Sequence, residues 1–352
     1  MRNILRAKLL GVILFFPIFL NDAKASCLTT ISVATSALLT CNVGDVLNIS
    51  STGSIIRNAT KSVDARNSVG AASTTIINKG TLSSTGDTVN MKVASGVNKI
   101  TNSGTIDTAT QADDARGVAV KVDQTNDTLI ENSGTIHGGK YGITAFQVND
   151  FEINNTGTIS SNNPSSAAIY IRQGSGATIT NTGTISNRRH GIRIGSGAGQ
   201  YNDLTIINSG LIAGDTHEFR NSIYVSDDNN VTSGFNLITK GEGRYDGRIL
   251  LSDQNSTTGE TFFDFTLDCS ISRDQTIEIK NKQNVRIINN LCGNDTYEIL
   301  DSNLDPDPDN SETEGYLRIY GEDLDIDSHN QKHRTEIFIS NLNNIFENLN
   351  HQ

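Results

Sequence analysis

Residues 100–106 read "ITNSGTI", and the chain returns to this heptapeptide along much of its length. Close copies read "IENSGTI", "INNTGTI" and "ITNTGTI", so the shared pattern is I-x-N-x-G-x-I. Successive Asn residues of the pattern are 24, 30, 23, 26 and 27 residues apart. A period of about 20 to 50 residues is typical of solenoids, in which each unit stacks on the next. The Asn and Gly positions are Asn78 and Gly80, Asn102 and Gly104, Asn132 and Gly134, Asn155 and Gly157, Asn181 and Gly183, and Asn208 and Gly210.

Two weaker copies flank the clear ones. "ISSTGSI" at Ile49–Ile55 is aligned with Ser51 in the Asn position, and "LITKGEG" begins at Leu237. With these two copies the sequence predicts about seven to eight units.

A second apolar alternation lies between successive heptapeptides, as in "VAVKV", "AIYI" and "GIRI". Alternation with period two, rich in Val, Ile, Thr and Tyr, predicts strands, and the Gly-, Ser- and Asn-rich connections predict turns. Each unit therefore holds about three short strands and no helix. Such a unit is too small to bury its own apolar face, so the sequence predicts an all-β, right-handed parallel β-helix.

In this fold equivalent side chains of successive coils stack about 4.8 Å apart. We expect two aliphatic columns, one of Ile100, Ile130, Ile153, Ile179 and Ile206, the other of Ile106, Ile136, Ile159, Ile185 and Ile212. The Asn residues tolerate left-handed backbone and can bond one another as a ladder, while the Gly residues permit positive φ or close backbone approach. The corners are thus expected to be structural, and they bind a ligand only if the ladder faces solvent.

The first residues predict export. Arg2, Arg6 and Lys8 precede the apolar run Leu9–Leu20, and Ala23–Ala25 forms an A-x-A cleavage site, so residues 1–25 read as a signal peptide. A membrane anchor is the weaker interpretation, because the run has 12 residues whereas a spanning helix needs about 20. Acylation as a lipoprotein at Cys27 is weaker still.

The charge excludes some partners. The whole chain has 28 Lys and Arg and 39 Asp and Glu, a net charge of −11; without residues 1–25 the balance is 24 − 38 = −14. Nucleic acids and anionic lipid surfaces bind clustered Lys and Arg, so neither is an expected partner. No integral membrane span is expected either.

The cysteines fall into two local pairs, Cys27 with Cys41 and Cys269 with Cys292. Four cysteines allow three connectivities, and short local loops are the expected ones in an oxidising compartment. A zinc site is the rival interpretation, but no Cys-x-x-Cys or neighbouring Cys and His spacing is present. We predict an N-terminal cap at 26–48, β-helix repeats at 49–245 and a divergent β-rich end region at 246–352.

The signal peptide, the Cys27 to Cys41 cap followed by "GDVLNIS", and the recurring "NSGTI" and "NTGTI" corners resemble the passenger of a classical autotransporter. The resemblance covers roughly residues 26–245 and implies an exported β-helical protein of a Gram-negative outer surface. That family also carries a C-terminal outer-membrane barrel of about a dozen strands, and this sequence shows no such repeated alternation before it ends at Gln352. The resemblance therefore implies a separately encoded translocator barrel, a truncated reading frame or a freely secreted β-helix.

A β-helical polysaccharide lyase or glycosidase is the alternative. The fragments that resemble polygalacturonase motifs are Asp113–Asp114 and "RRHGIRI" at 188–194, which give the weak catalytic candidates Asp114, His190 and Arg193. The leading Gly and the final Lys of those motifs are missing. Glycoside hydrolysis needs two carboxyls about 5 to 9.5 Å apart, whereas Asp114 is expected about 14 Å from His190.

Weak calcium candidates are Asp305, Asp307 and Asp309, which have loop-ligand spacing but lack the Gly and closing Glu of an EF-hand. We expect no cofactor. The sequence favours a non-enzymatic protein that acts at the cell surface or after secretion, in adhesion or interaction with a surface glycan or protein. Side walls and the loops 186–202 and 213–221 are the expected contact regions.

Overall fold

The computed structural model of the chain describes fifteen segments. They are 25–27, 29–42, 44–59, 61–65, 73–92, 96–108, 117–195, 201–214, 220–225, 231–251, 263–267, 275–280, 285–289, 297–301 and 314–319. Every regular element in them is a β-strand, and the strands form three long sheets, named A, B and C below.

Sheet A contains thirteen strands. They are β1 (Ala25–Ser26), β4 (Leu39–Thr40), β7 (Val63–Ala65), β10 (Val89–Met91), β13 (Val118–Asp123), β16 (Tyr141–Phe146), β20 (Ala167–Ile171), β24 (His190–Ile194), β27 (Asn221–Val225), β30 (Arg248–Leu251), β32 (Gln275–Lys280), β34 (Tyr297–Asp301) and β35 (Glu314–Ile319).

Sheet B also contains thirteen strands. They are β2 (Thr29–Ile31), β5 (Val46–Ile49), β8 (Thr75–Asn78), β11 (Asn98–Asn102), β14 (Thr128–Asn132), β17 (Val148–Asn149), β18 (Glu152–Asn155), β21 (Gly174–Ser175), β22 (Thr178–Asn181), β25 (Tyr201–Asn208), β28 (Val231–Thr239), β31 (Phe263–Leu267) and β33 (Val285–Asn289).

Sheet C contains nine strands. They are β3 (Ala34–Thr35), β6 (Ser54–Arg57), β9 (Thr81–Ser84), β12 (Thr105–Thr108), β15 (Thr135–Gly138), β19 (Thr158–Ser161), β23 (Thr184–Asn187), β26 (Leu211–Gly214) and β29 (Arg244–Asp246).

The chain runs through the sheets in the order B, C, A, and each such circuit is one coil. Neighbouring strands within a sheet belong to successive coils and pair in parallel, as β11 does with β14 and β12 with β15. Six sheet C strands begin directly after the Gly of a clear heptapeptide copy; they are β9, β12, β15, β19, β23 and β26. Strands β6 and β29 each begin directly after a Gly of one of the two weaker copies. The predicted all-β parallel β-solenoid is therefore confirmed, with about seven repeats.

Alternating residues of each strand fill the interior. The register aligns Ile100 with Ile130 and Ile106 with Ile136, and the same pairing continues through both predicted aliphatic columns. All ten Ile side chains of the two columns have no exposed surface. Because each coil alone buries little, burial of these columns between coils supplies the main driving force for stacking.

The Asn side chains form a buried ladder at the corner between sheets B and C. Their exposure is at most 1%, so the corner does not present the amides to solvent. From Asn78 to Asn208, each Nδ2 donates to the Oδ1 of the next Asn at 2.7, 2.7, 2.8, 2.8 and 2.9 Å in turn. Each of the first five amides also donates to the carbonyl of the Gly two residues on and to a carbonyl of the next coil, so buried backbone acceptors are satisfied.

The ladder ends where the Asn is replaced. Ile49 lies opposite Asn78, so the alignment that put Ser51 in the Asn position is wrong: the corner of that coil is two residues longer. Nothing donates to the Oδ1 of Asn78, which is buried without a partner among the described residues. At the other end Thr239 lies opposite Asn208, and its hydroxyl bonds the hydroxyl of Tyr245 at 2.8 Å. Burial raises the pKa of Tyr245 well above its usual range.

The corner Gly residues are required for close approach. A Cβ on Gly134 would lie 2.1 Å from the carbonyl oxygen of Gly104, and the equivalent distances at the other five corners are 2.0 to 2.2 Å. Left-handed backbone occurs elsewhere: in the described segments, the non-Gly residues with positive φ lie in the connection from sheet A to sheet B or at the start of the following strand. They are Gln124, Asp127, Gln147, Asp150 and Asp203.

The two ends of the solenoid differ. At the first end Cys27 and Cys41 form the predicted disulfide, with a Cα–Cα distance of 4.7 Å, and β2 to β4 pair in parallel with the first repeat. At the other end β35 pairs antiparallel with both β32 and β34. Cys269 and Cys292 lie outside the described residues.

Candidate functional site

Four side chains on the outer face of sheet A form a continuous array, named the Tyr–Arg ladder. They are Tyr141, Tyr170, Arg193 and Tyr224, contributed by β16, β20, β24 and β27. Tyr170, Arg193 and Tyr224 are in direct register on successive coils. Tyr170, Arg193 and Tyr224 point outward because the residues on both sides of each are buried, and all four side chains of the ladder are half-buried.

The members of the ladder contact one another through ring faces. The ring centroids of Tyr141 and Tyr170 are 5.1 Å apart with an interplanar angle of 23°. The guanidinium carbon of Arg193 lies 5.3 Å from the centroid of Tyr170 and 5.5 Å from that of Tyr224. A guanidinium between two rings is held by cation–π attraction from both sides, which fixes its position.

Further groups extend the array at both ends. The Lys140 ammonium lies 5.3 Å from the Tyr141 centroid. At the other end the His190 ring stacks on Tyr224 with centroids 4.7 Å apart and an angle of 14°. His190 is 2% exposed, and its Nδ1 lies 3.1 Å from Nδ2 of Asn221. The array therefore runs from Lys140 to Asn221 over four coils.

A buried amide orients the start of β24. Oδ1 of Asn187 accepts hydrogen bonds from the backbone N–H groups of Arg189 and His190, at 2.7 and 3.1 Å. Its Nδ2 donates to the carbonyl and the hydroxyl of Ser161 one coil below. This network fixes the turn between sheets C and A, and so fixes where Arg193 emerges.

Arg193 is a cation without a carboxylate partner in the described part of the chain. The ion pairs found there involve other residues, and its Nε is buried without a hydrogen-bond partner. Its charge nevertheless acts on Tyr141: burial raises the pKa of the Tyr141 hydroxyl, and the charges of Arg193 and Arg172 oppose that rise.

The strands that carry the ladder, together with β30, contain positively charged side chains and no negatively charged ones. The five strands β16, β20, β24, β27 and β30 contain two Arg residues and no Asp or Glu, in a chain whose net charge is −11. Arg172, which directly follows β20, lies 5.1 Å from the centroid of the Phe146 ring. In the same coils, sheets B and C carry acidic residues such as Glu131, Glu152 and Asp246. The part of sheet A from β16 to β30, named the cationic face below, is thus cationic and aromatic in an acidic protein.

The predicted catalytic and calcium-binding candidates fall into two groups, those that lie on sheet A and those outside the described residues. His190 and Arg193 both lie on β24, and both contact aromatic rings of the ladder. Asp113 and Asp114 lie outside the described residues, as do Asp305, Asp307 and Asp309. The described residues include no group of three His, Cys, Asp or Glu side chains placed to hold a metal ion.

Sheet C brings together Asp107, His137 and Ser160, a set that the sequence analysis did not identify. They are in register on β12, β15 and β19, and Nδ1 of His137 lies 2.8 Å from Oγ of Ser160. All three follow the last Ile of the heptapeptide, so aligning that position in successive repeats is the signal that would have found them.

This arrangement does not build a hydrolase centre. Asp107 forms no ion pair with His137 within 4.0 Å in the described structure, and its buried Oδ1 has no hydrogen-bond partner there. Strand β19 is paired on both sides, with β15 and β23, so the sheet uses the backbone N–H groups that an oxyanion hole would need. Burial raises the pKa of Asp107, with His137 opposing the rise.

The described residues contain no helix with the length and apolarity to cross a membrane. No protein-family model, no curated protein and no solved structure matches the chain.

Proposed function

We propose that this protein is an exported, non-enzymatic β-solenoid that acts at the cell surface or after secretion by binding a ligand on the outer face of sheet A. The observation that carries the proposal is the Tyr–Arg ladder: ring and guanidinium contacts that continue across four coils, on strands that contain no acidic residue. Tyr and Arg are enriched among the residues that contribute most to binding at protein interfaces.

Rigidity favours binding over catalysis. Each strand of the face is paired on both sides within sheet A, so its side chains are held in a fixed array. A preorganised surface loses little conformational entropy when a ligand binds. Catalysis of glycoside cleavage would instead need paired carboxyls, and β16, β20, β24 and β27 supply none.

Export is supported by two observations. Residues 1–25 have the organisation of a signal peptide, and Cys27 and Cys41 form a disulfide, which persists in oxidising compartments. The parallel solenoid is also the architecture of autotransporter passengers, the family that the repeats resemble. We therefore place the protein at a Gram-negative cell surface or in the medium, in adhesion or interaction.

The test is a binding screen of the purified protein on immobilised glycans and matrix proteins, with each ligand also assayed for breakdown. Wild type is compared with Arg193→Gln and with Arg244→Gln, a matched change at an exposed Arg of sheet C. We expect binding that falls for Arg193→Gln only, without turnover of the ligand. Binding that is equal in all three proteins, or turnover of a polysaccharide, would overturn the proposal.

A further inference from the structure

The orientation of the rings restricts what the cationic face can bind. The Tyr170 ring is covered from one coil by Tyr141 and from the next by Arg193. Tyr224 is covered from the side of β24 by Arg193 and His190. Rings stacked along the solenoid axis turn their edges, and not their faces, toward solvent.

The edges that remain accessible offer hydrogen-bond donors. The hydroxyls of Tyr141 and Tyr224 bond to no residue in the described part of the chain, and the Arg193 guanidinium pairs with no carboxylate there. Guanidinium N–H groups form their strongest hydrogen bonds with anionic oxygens such as those of carboxylates and sulfates. The matching ligand is therefore an anion.

The length of the array indicates a polymer. Cationic groups recur along the face at Lys140, Arg172, Arg193 and Arg248, which belong to different coils spaced about 4.8 Å apart. A single small anion would engage one of them, whereas an extended chain with a charge on each unit engages several at once. Several weak contacts made by one polymer chain give a higher overall affinity than any single contact.

Nucleic acid fits this surface less well. Proteins that bind single strands present open aromatic faces on which bases stack, and the Tyr170 faces are already occupied.

We propose that the cationic face binds a linear acidic polysaccharide that lies along the solenoid axis, with its carboxylate or sulfate groups on Arg193 and its cationic neighbours and its hydroxyls on the tyrosines. The inference rests on the proposed binding function and specifies its ligand class.

The test uses two matched pairs of polymers and one competitor. Polygalacturonate is compared with its fully methyl-esterified form, and dextran sulfate with dextran, so that charge changes on a constant backbone. Single-stranded DNA is the fifth probe. Dissociation constants are measured for wild type, Arg193→Gln, Arg193→Lys and the control Arg244→Gln, and circular dichroism melting checks that all four fold.

We expect at least one charged polymer to bind, its neutral partner to bind about tenfold more weakly or not at all, and Arg193→Gln to lose about tenfold in affinity. Arg193→Lys should retain part of the affinity, Arg244→Gln all of it, and added salt should weaken binding. Equal binding of charged and neutral partners that still depends on Arg193 would overturn the ligand class and leave the binding function standing. Binding that is independent of Arg193, tighter binding of DNA, or no binding of either charged polymer would each overturn the inference.

Discussion

The side-chain amide nitrogen of Asn102 lies 2.7 Å from the amide oxygen of Asn132, and this bond is one of five that join six coils end to end. Inside a β-solenoid a buried amide of this kind satisfies backbone carbonyls that the corner would otherwise leave unpaired. The ladder consequently couples the stability of each coil to that of its neighbours.

Replacing Asn132 with Ala should destabilise the protein by about 2 to 3 kcal/mol, because the donor to Asn155 and the acceptor from Asn102 are lost in a buried site. Denaturant unfolding measures the change. The matched control is Asn154→Ala, which removes the same side chain from the outer face of sheet B, where among the described residues its side chain bonds Glu152 alone. Equal effects of the two changes would show that the ladder adds nothing specific.

Gly134→Ala should destabilise the protein by about 2 kcal/mol or more, because the added Cβ would meet a backbone carbonyl oxygen that cannot move without separating the coils. Thermal unfolding of this variant is compared with that of Ser133→Ala, whose side chain is exposed at the same corner. A melting temperature unchanged by Gly134→Ala would contradict the close approach of successive corners.

Much of this architecture follows from the sequence alone. The repeat spacing predicts the coils, and the alternation of Ile100 and Ile106 with polar residues predicts their columns. The register of the first copy could not be predicted from the sequence. Two extra residues follow Ile49 in that coil, yet "ISSTGSI" still resembles the heptapeptide, so the pattern aligned Ser51 and not Ile49 with Asn78. The corner Gly residues are a second example. A Gly in the sequence is compatible with positive φ and with close backbone approach, and only the structure shows that close approach is the reason here.

The candidate site is less predictable than the fold. Arg193 stands out in the sequence as a basic residue on a strand, but its partners Tyr170 and Tyr224 lie 23 and 31 residues away. Only the register between coils brings them together. The heptapeptide aligns the interior well because it is nearly invariant, whereas the variable loops before each sheet A strand obscure which outer residues coincide.

The Cys27–Cys41 disulfide should stabilise the first coil. It closes a loop with a sequence separation of 14 residues, and the loss of such a constraint costs about 3 kcal/mol. The double change Cys27→Ser and Cys41→Ser is expected to increase amide hydrogen exchange in β2 to β5 and to leave β14 to β22 unaffected, because solenoid coils contact mainly their neighbours. A uniform increase along the whole solenoid would contradict this local effect.

Asp107 should reduce stability at neutral pH. Burial raises its pKa in the folded state, so between the unfolded and the folded pKa the folded state binds more protons and stability falls as pH rises. Asp107→Asn is therefore expected to be more stable than wild type at pH 8, and the difference should vanish or reverse near pH 4, where the carboxyl of the unfolded chain is half protonated. Urea unfolding at both pH values checks this, and a constant difference would contradict it.

Hydroxyl-radical footprinting of the protein with and without a saturating acidic polysaccharide locates the contact surface residue by residue, and so tests whether the polymer binds on sheet A. We expect protection of Tyr141, Tyr170 and Tyr224 on sheet A. Val46 on sheet B and Ile56 on sheet C, which are 44% and 52% exposed, should not be protected. If the labelling of the three tyrosines is unchanged while the polymer is bound, the polymer does not bind on this face.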